Sequence, residues 1–267
     1  MTEELILPEN SDEKLPVFAG THRRYFMEMA YNGANYHGWQ VQPNGITIQA
    51  RMNDALSKML REPIYCIGCG RTDAGVHARQ FFLHFDAANP IPADLVFKLN
   101  RYLSPDFAIR RIMKMHENAH ARFDATQRTY EYHMHFKEDP FLNGLSCFLF
   151  PTPDVAKMNQ AAQLLLAYKD FKSLHKTGGG SKTTLCNIYG VGFDRNEEKG
   201  TLVFTITANR FLRNMVRMTM GALIMIGRGR ITIDDFKEVM DSCGEFKYMM
   251  PVPACGLYLT SVKYPYL

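Results

Sequence analysis

Gln80-Phe81-Phe82-Leu83-His84-Phe85-Asp86 reads as a β-strand that sets Phe81, Leu83 and Phe85 on one face of its two-residue repeat. Its flanks decide the architecture. Upstream, Thr47 has the chemistry of a helix N-cap, and Ile48, Met52, Ala55, Leu56 and Met59 recur at helical spacing. Residues 25–31 form a strand before that helix, and 63–69 a short strand after it. Between residues 31 and 47, the turn-rich loop Asn32-Gly33-Ala34-Asn35-Tyr36-His37-Gly38 leads to the only tryptophan, Trp39. Downstream, 92–103 is helical in pattern and 108–115 extended. The order is β-α-β-β-α-β.

The second half repeats it. Residues 126–136 read as a strand and 154–168 as a helix with Val155, Met158, Ala162, Leu165 and Leu166 inward. Residues 184–193 and 201–208 form a hairpin, 210–226 and 234–241 helices, and 256–263 the last strand. Two split βαβ units in tandem give an α+β protein. The domain reading is an acidic, disordered lead at 1–20, an N-terminal half at 21–118 and a C-terminal half at 119–267.

Composition narrows the function. Hydrophobic residues make up 46% and charged residues 22% of 267, a globular balance. The longest apolar run, 218–226, is about half the ~20 residues that cross a bilayer, and residues 1–4 open no signal peptide. Six cysteines are too few for a disulfide scaffold, which points to a reducing, cytoplasmic setting. Residues 1–20 carry five acids and one base, so the rest carries 30 bases against 22 acids. A basic body fits a polyanionic partner.

Three features bear on chemistry. Asp73 lies in Gly70-Arg71-Thr72-Asp73-Ala74-Gly75-Val76-His77-Ala78. As a turn residue it would satisfy its own backbone; flanked by small residues and Arg71 it is also a carboxylate that a substrate can approach, a nucleophile or general base needing no metal. On a helix from 210, Arg210, Arg213, Asn214 and Arg217 share one arc, with Gly221 continuing it, and no acid occurs between Glu198 and Asp234. That stripe is either a solvated basic face or a site for phosphate or a carboxylate. On the strand 126–136, Tyr130, Tyr132, Met134 and Phe136 share a face; core packing explains most of it, and an exposed tyrosine there would stack on a nucleobase. Other motifs fail. His133-x-His135 lacks a third ligand and reads as an exposed pair, Cys66-x-x-Cys69 as buried thiols, and Gly178 to Thr183 as a flexible basic loop lacking P-loop spacing.

The nine residues around Asp73 closely resemble the signature of the tRNA pseudouridine synthase A (TruA) family. Tyr31-x-Gly33-x-x-Tyr36-x-Gly38-Trp39-Gln40 is similar to its first block, and His120-Ala121-Arg122-Phe123 followed by Arg128-x-Tyr130-x-Tyr132 to its substrate-stacking strand. Residues 211–217 and 254–259 resemble its C-terminal blocks, all in family order across residues 24–265. The resemblance implies tandem ferredoxin-like halves with antiparallel sheets and a catalytic cleft between them. It implies a cytoplasmic homodimer, without cofactor, metal or membrane, that isomerises uridine in the anticodon stem-loop of tRNA, at positions 38 to 40 in tRNA nomenclature. By the same resemblance Asp73 is catalytic, Tyr130 stacks on the uracil, Arg217 pairs with Asp73, Arg71 holds the target nucleotide out and Leu257 lines the pocket. Arg210, Arg213 and Lys182 are the expected RNA contacts. Arg213 stands where the family commonly has histidine, and 172–184, with its triple glycine and three lysines, departs from the usual bacterial form. The rivals are a non-catalytic RNA-binding module, an enzyme of the same chemistry on another RNA, and a nucleotide hydrolase, which the failed P-loop spacing disfavours.

Overall fold

The computed structural model describes residues 22–178 and 180–267; the acidic lead at 1–20 lies outside the described residues. The strands are β1 (Arg23–Tyr31), β2 (Ile67–Gly68), β3 (His77–Ala87), β4 (Phe107–Lys114), β5 (Gln127–His135), β6 (Cys147–Phe148), β7 (Ile188–Asn196), β8 (Thr201–Ala208) and β9 (Leu257–Lys263). The helices are α1 (Ile48–Leu60), α2 (Leu95–Leu103), α3 (Val155–Leu164), α4 (Met215–Gly227) and α5 (Ile233–Asp241). Among the described residues nine strands join one mixed sheet in the order β4-β1-β3-β9-β5-β8-β7, with β2 on β3 and β6 on β5. It is an α+β fold. The expected pair of antiparallel sheets is thus fused, through a short parallel junction of His77 with Tyr258 and Ala78 with Leu259.

Local chemistry accounts for the elements. Thr47 caps α1 by accepting from the Ala50 amide, Asp154 caps α3 through Lys157, and Thr232 with Asp235 forms a capping box on α5. Met27 and Met29 lie opposite Leu83 and Phe81, so one face of the first sheet half is continuously apolar. Trp39 closes over Phe81 at 4.4 Å between ring centroids. Burial of each such side chain contributes roughly 1.5–3 kcal/mol.

The other face of β3 is covered too, which the alternation of residues 80–86 does not announce. Phe82 meets Tyr264 edge-on at 5.2 Å, and Phe26 meets both Tyr264 and Tyr266. His84 is buried there, its Nδ1 accepting from the Ala121 amide at 3.0 Å. Three further readings need correction. The strand expected at 63–69 pairs only at Ile67–Gly68, Leu166 is 40% exposed beyond the end of α3, and α4 begins at Met215 rather than at 210. The cause of the last is Asn214, whose left-handed backbone (φ 59°) breaks the helical path.

His84 makes stability acid-sensitive. Burial, reinforced by Arg24 and His120, pushes it from 6.5 to about 3, against the pull of Asp86 and Asp124. The unfolded chain takes up this proton as pH falls below 6.5, whereas the folded chain does so only near 3. The contribution is therefore fully present above pH 6.5 and is lost progressively below it. At pH 5 the loss is about 2 kcal/mol. Denaturant unfolding at pH 7 and pH 5 should show His84→Asn losing about that much less than wild type between the two; an equal loss would clear His84 of this role.

Candidate active site

The Asp73 loop is tied from both sides. At its start, the Arg128 guanidinium donates to the Cys69 carbonyl from Nε (3.3 Å) and Nη2 (2.8 Å). The same side chain reaches the carbonyls of Ala125, Asn209 and Arg122 at 2.7–3.1 Å, and so pins three distant segments to one another. Thr72 turns inward, its hydroxyl 2.9 Å from the Tyr31 phenol and its carbonyl accepting from the Trp39 amide. The Gly75 amide donates to Tyr36. Gly38 is required here: its φ is +81°, and a Cβ would collide with the Thr72 carbonyl. With Thr72 held inside, Asp73 faces out, its side chain 32% exposed.

Opposite it stands Arg217, in the first turn of α4. Nη1 donates to Asp73 Oδ2 at 3.3 Å and to Asn214 Oδ1 at 3.0 Å, and Nε donates to the Val252 carbonyl at 2.7 Å. The pair spans 144 residues of sequence. Gly221, one turn further along α4, lets the Met250 carbonyl come within 2.5 Å of where a Cβ would sit, so the 249–252 segment lies close on the helix.

Tyr130 lies on β5, between Ile206 of β8 and Leu259 of β9. It is 8% exposed, more enclosed than a free stacking platform, and Phe211 meets its ring edge-on at 5.1 Å. Burial pushes its phenol well up; the Cys69 thiol and the Asp73 carboxylate add to that, while Arg128 opposes it. The phenol therefore stays protonated. Leu257, the first residue of β9, is buried opposite Tyr132.

Arg71 and Lys182 are exposed. Arg210 and Arg213 do not share a helical arc with Arg217, because the helix starts after them. Arg210 Nη2 donates to Ser181 Oγ at 3.1 Å, and Arg213 Nη1 to the carbonyls of Thr177 and Gly178 at 3.4 and 3.5 Å. The two arginines hold Thr177, Gly178 and Ser181 beside the start of α4. His133 and His135 are no exposed pair: His133 Nε2 lies 2.9 Å from Glu131, while His135 is buried with Nδ1 2.9 Å from the Ser146 hydroxyl. Cys66 and Cys69 are buried thiols, as expected. The sequence pattern gives Arg128 no role of its own and places Asn214 only within the basic stripe. Arg128 acts on backbone carbonyls, those of Cys69 and Asn209 remote in sequence, and Asn214 on the Arg217 side chain three residues on; only the position of Arg128 two residues before Tyr130 marked it.

The arrangement presents one outward carboxylate, a guanidinium that fixes it and a buried phenol that feels its charge, with the exposed Arg71 two residues before it in the chain. Among the described residues no helix is long and apolar enough to cross a membrane. A family model described as tRNA pseudouridine synthase matches residues 161–265. A tRNA pseudouridine synthase A of Parabacteroides distasonis is 46% identical over 246 residues, covering 91% of this chain and 96% of that protein. One from Bacteroides thetaiotaomicron is 43% identical over 91% of each chain. A third, from Ruminiclostridium cellulolyticum, is 34% identical over 91% of this chain and 100% of its own length.

Proposed function

Since the chain belongs to the tRNA pseudouridine synthase A family, we propose that it isomerises uridine to pseudouridine in tRNA, with Asp73 as the group that acts on the reacting nucleotide. The observation that carries this reading is the outward Asp73 carboxylate, held by Arg217 from the opposite half. The target is a uridine of the anticodon stem-loop, at positions 38 to 40 in tRNA nomenclature. The enzyme works as a cytoplasmic homodimer. Residues 21–118 and 119–267 are two ferredoxin-like halves, with the cleft between them. The strand order supports this division. Counting strands within each half and leaving β6 aside, both run fourth, first, third, second across the sheet.

The reaction breaks the bond from N1 to C1′, turns the uracil and joins C5 to C1′; the C5 proton is lost and N1 gains one. Nothing is oxidised or reduced, so no redox cofactor is called for. An ionised carboxylate beside the ribose serves whether it attacks carbon or removes a sugar proton, and both routes make the same demand on geometry. Arg217 supplies it by holding Oδ2 of Asp73. Tyr130 stacks on the extruded base, Leu257 packs at the pocket wall and Arg71 keeps the nucleotide from falling back into the stem. Arg210, Arg213 and Lys182 grip the RNA backbone.

Incubating unmodified tRNA transcripts with the protein and mapping pseudouridine at nucleotide resolution tests the reading. Product confined to the anticodon stem-loop supports it. Tight binding with no product would favour the RNA-binding module, and product only in other RNAs would move the substrate. Arg210 provides a further check. Arg210→Gln should weaken tRNA binding and reduce the salt dependence of log K by about one phosphate contact. An unchanged slope would leave Arg210 as no more than an anchor for Ser181.

A further inference from the structure

Asn214 is the first residue whose carbonyl accepts a bond within α4, from the Met218 amide at 2.9 Å, and so occupies the N-cap position. Asparagine is favoured there because its side chain can accept from the first free amides of the helix. At α1, α3 and α5 the N-cap side chain does this from an extended backbone. At α4 it does not. Asn214 adopts the left-handed conformation, φ 59° and ψ 5°, and makes no cap bond. Its Oδ1 instead accepts from Arg217 Nη1 at 3.0 Å, the same nitrogen that reaches Asp73. Both hydrogens of Nη1 are thereby committed, one to Asn214 and one to Asp73, while Nε is fixed on the Val252 carbonyl.

Two local costs, a strained backbone and a forgone cap, therefore accompany one contact to the guanidinium. Strain held in place by its surroundings is characteristic of sites where geometry matters. We propose that Asn214 is a positioning residue for the reaction: with the Val252 carbonyl it holds the Arg217 guanidinium at the angle from which Nη1 aligns Asp73. The inference rests on the reading of Asp73 given above. Without Asn214, the Arg217 guanidinium keeps the Val252 carbonyl at Nε, and Nη1 keeps only the carboxylate it is meant to align. The Asp73 carboxylate then samples orientations that do not meet the ribose, a loss felt in turnover rather than in RNA binding.

The competing explanation is that Asn214 is present only because asparagine tolerates a left-handed turn. Glycine separates the two, since it fits that backbone better than asparagine and carries no acceptor. Asn214→Gly should melt at the wild-type temperature or above. It should bind tRNA within about twofold of wild type, yet form pseudouridine about tenfold more slowly at saturating tRNA. Combined with Arg217→Met it should add no further loss, because a residue acting through Arg217 has nothing left to orient. Wild-type turnover in Asn214→Gly, or losses that multiply in the double variant, would overturn the proposal. A wild-type protein that forms no pseudouridine on any transcript would instead overturn the reading of the site beneath it.

Discussion

Asp73→Ala should lower the rate of pseudouridine formation by at least ~10³-fold while leaving tRNA affinity within about threefold. The size of the effect follows from how little else stands at the site. His77 is engaged at both nitrogens, by the Gly33 amide and the Gly144 carbonyl, and burial holds its pKa down. Burial keeps the Cys69 thiol and the Tyr130 phenol protonated. None of these three groups is therefore poised to replace the carboxylate. Binding should survive, because RNA affinity is carried mainly by cations meeting phosphates, and removal of an anion from the cleft does not weaken those contacts. Folding should survive as well. Arg217 keeps Asn214 and Val252 as acceptors, and a partly exposed ion pair contributes at most about 1 kcal/mol. Single-turnover rates, a binding isotherm and a melting curve on one preparation test all three statements. A variant that retains a tenth of wild-type turnover would remove Asp73 from the chemistry.

The element order was legible because it rests on local periodicity. Phe81, Leu83 and Phe85 alternate, and Ile48, Met52 and Leu56 recur at helical spacing, whatever the rest of the chain does. What escaped was decided at long range. Tyr264 covers Phe82 on the second face of β3 from 182 residues away, so Phe82 and His84 look like solvent positions in their own segment and are buried in the fold. The fusion into one sheet depends on two residue pairs, His77 with Tyr258 and Ala78 with Leu259, which carry no pattern of their own. At residue 210 local periodicity misled. Leu212, Met215 and Val216 continue a helical spacing, yet one left-handed residue is enough to postpone the helix to Met215.

The site divides along a similar line. Asp73 is conspicuous because a carboxylate between small residues is rare and its neighbours form a long motif. Its pairing with Arg217 came from resemblance alone, since 144 residues separate the partners. Arg128 and Asn214 carry no such mark. An arginine on a strand reads as a surface charge until four carbonyls are seen to converge on it, and an asparagine before a helix reads as a cap until its side chain is seen to face elsewhere. Residues that hold a site in place are identified by their partners, and those partners are largely backbone.

Tyr130→Leu should reduce turnover between about tenfold and a hundredfold and change tRNA affinity by much less. A uridine drawn from a helical stem costs a few kcal/mol in lost stacking and pairing, and an aromatic face returns about 1–3 kcal/mol per base. That return is available only to the extruded nucleotide, so its loss falls on the step leading to reaction rather than on the encounter with tRNA. The position of the ring bears on the test. Tyr130 is 8% exposed and backed by Phe211, so leucine also opens space in the wall and should cost about 1–3 kcal/mol in stability. Tyr130→Phe separates packing from stacking. It keeps the ring and its contact with Phe211, and gives up only the hydroxyl. If stacking is the role, Tyr130→Phe should retain turnover within about fivefold of wild type, whereas Tyr130→Leu should not recover even where it is fully folded. Equal losses in the two variants would assign the role to the hydroxyl, and parallel losses in affinity and turnover would make Tyr130 a general RNA contact.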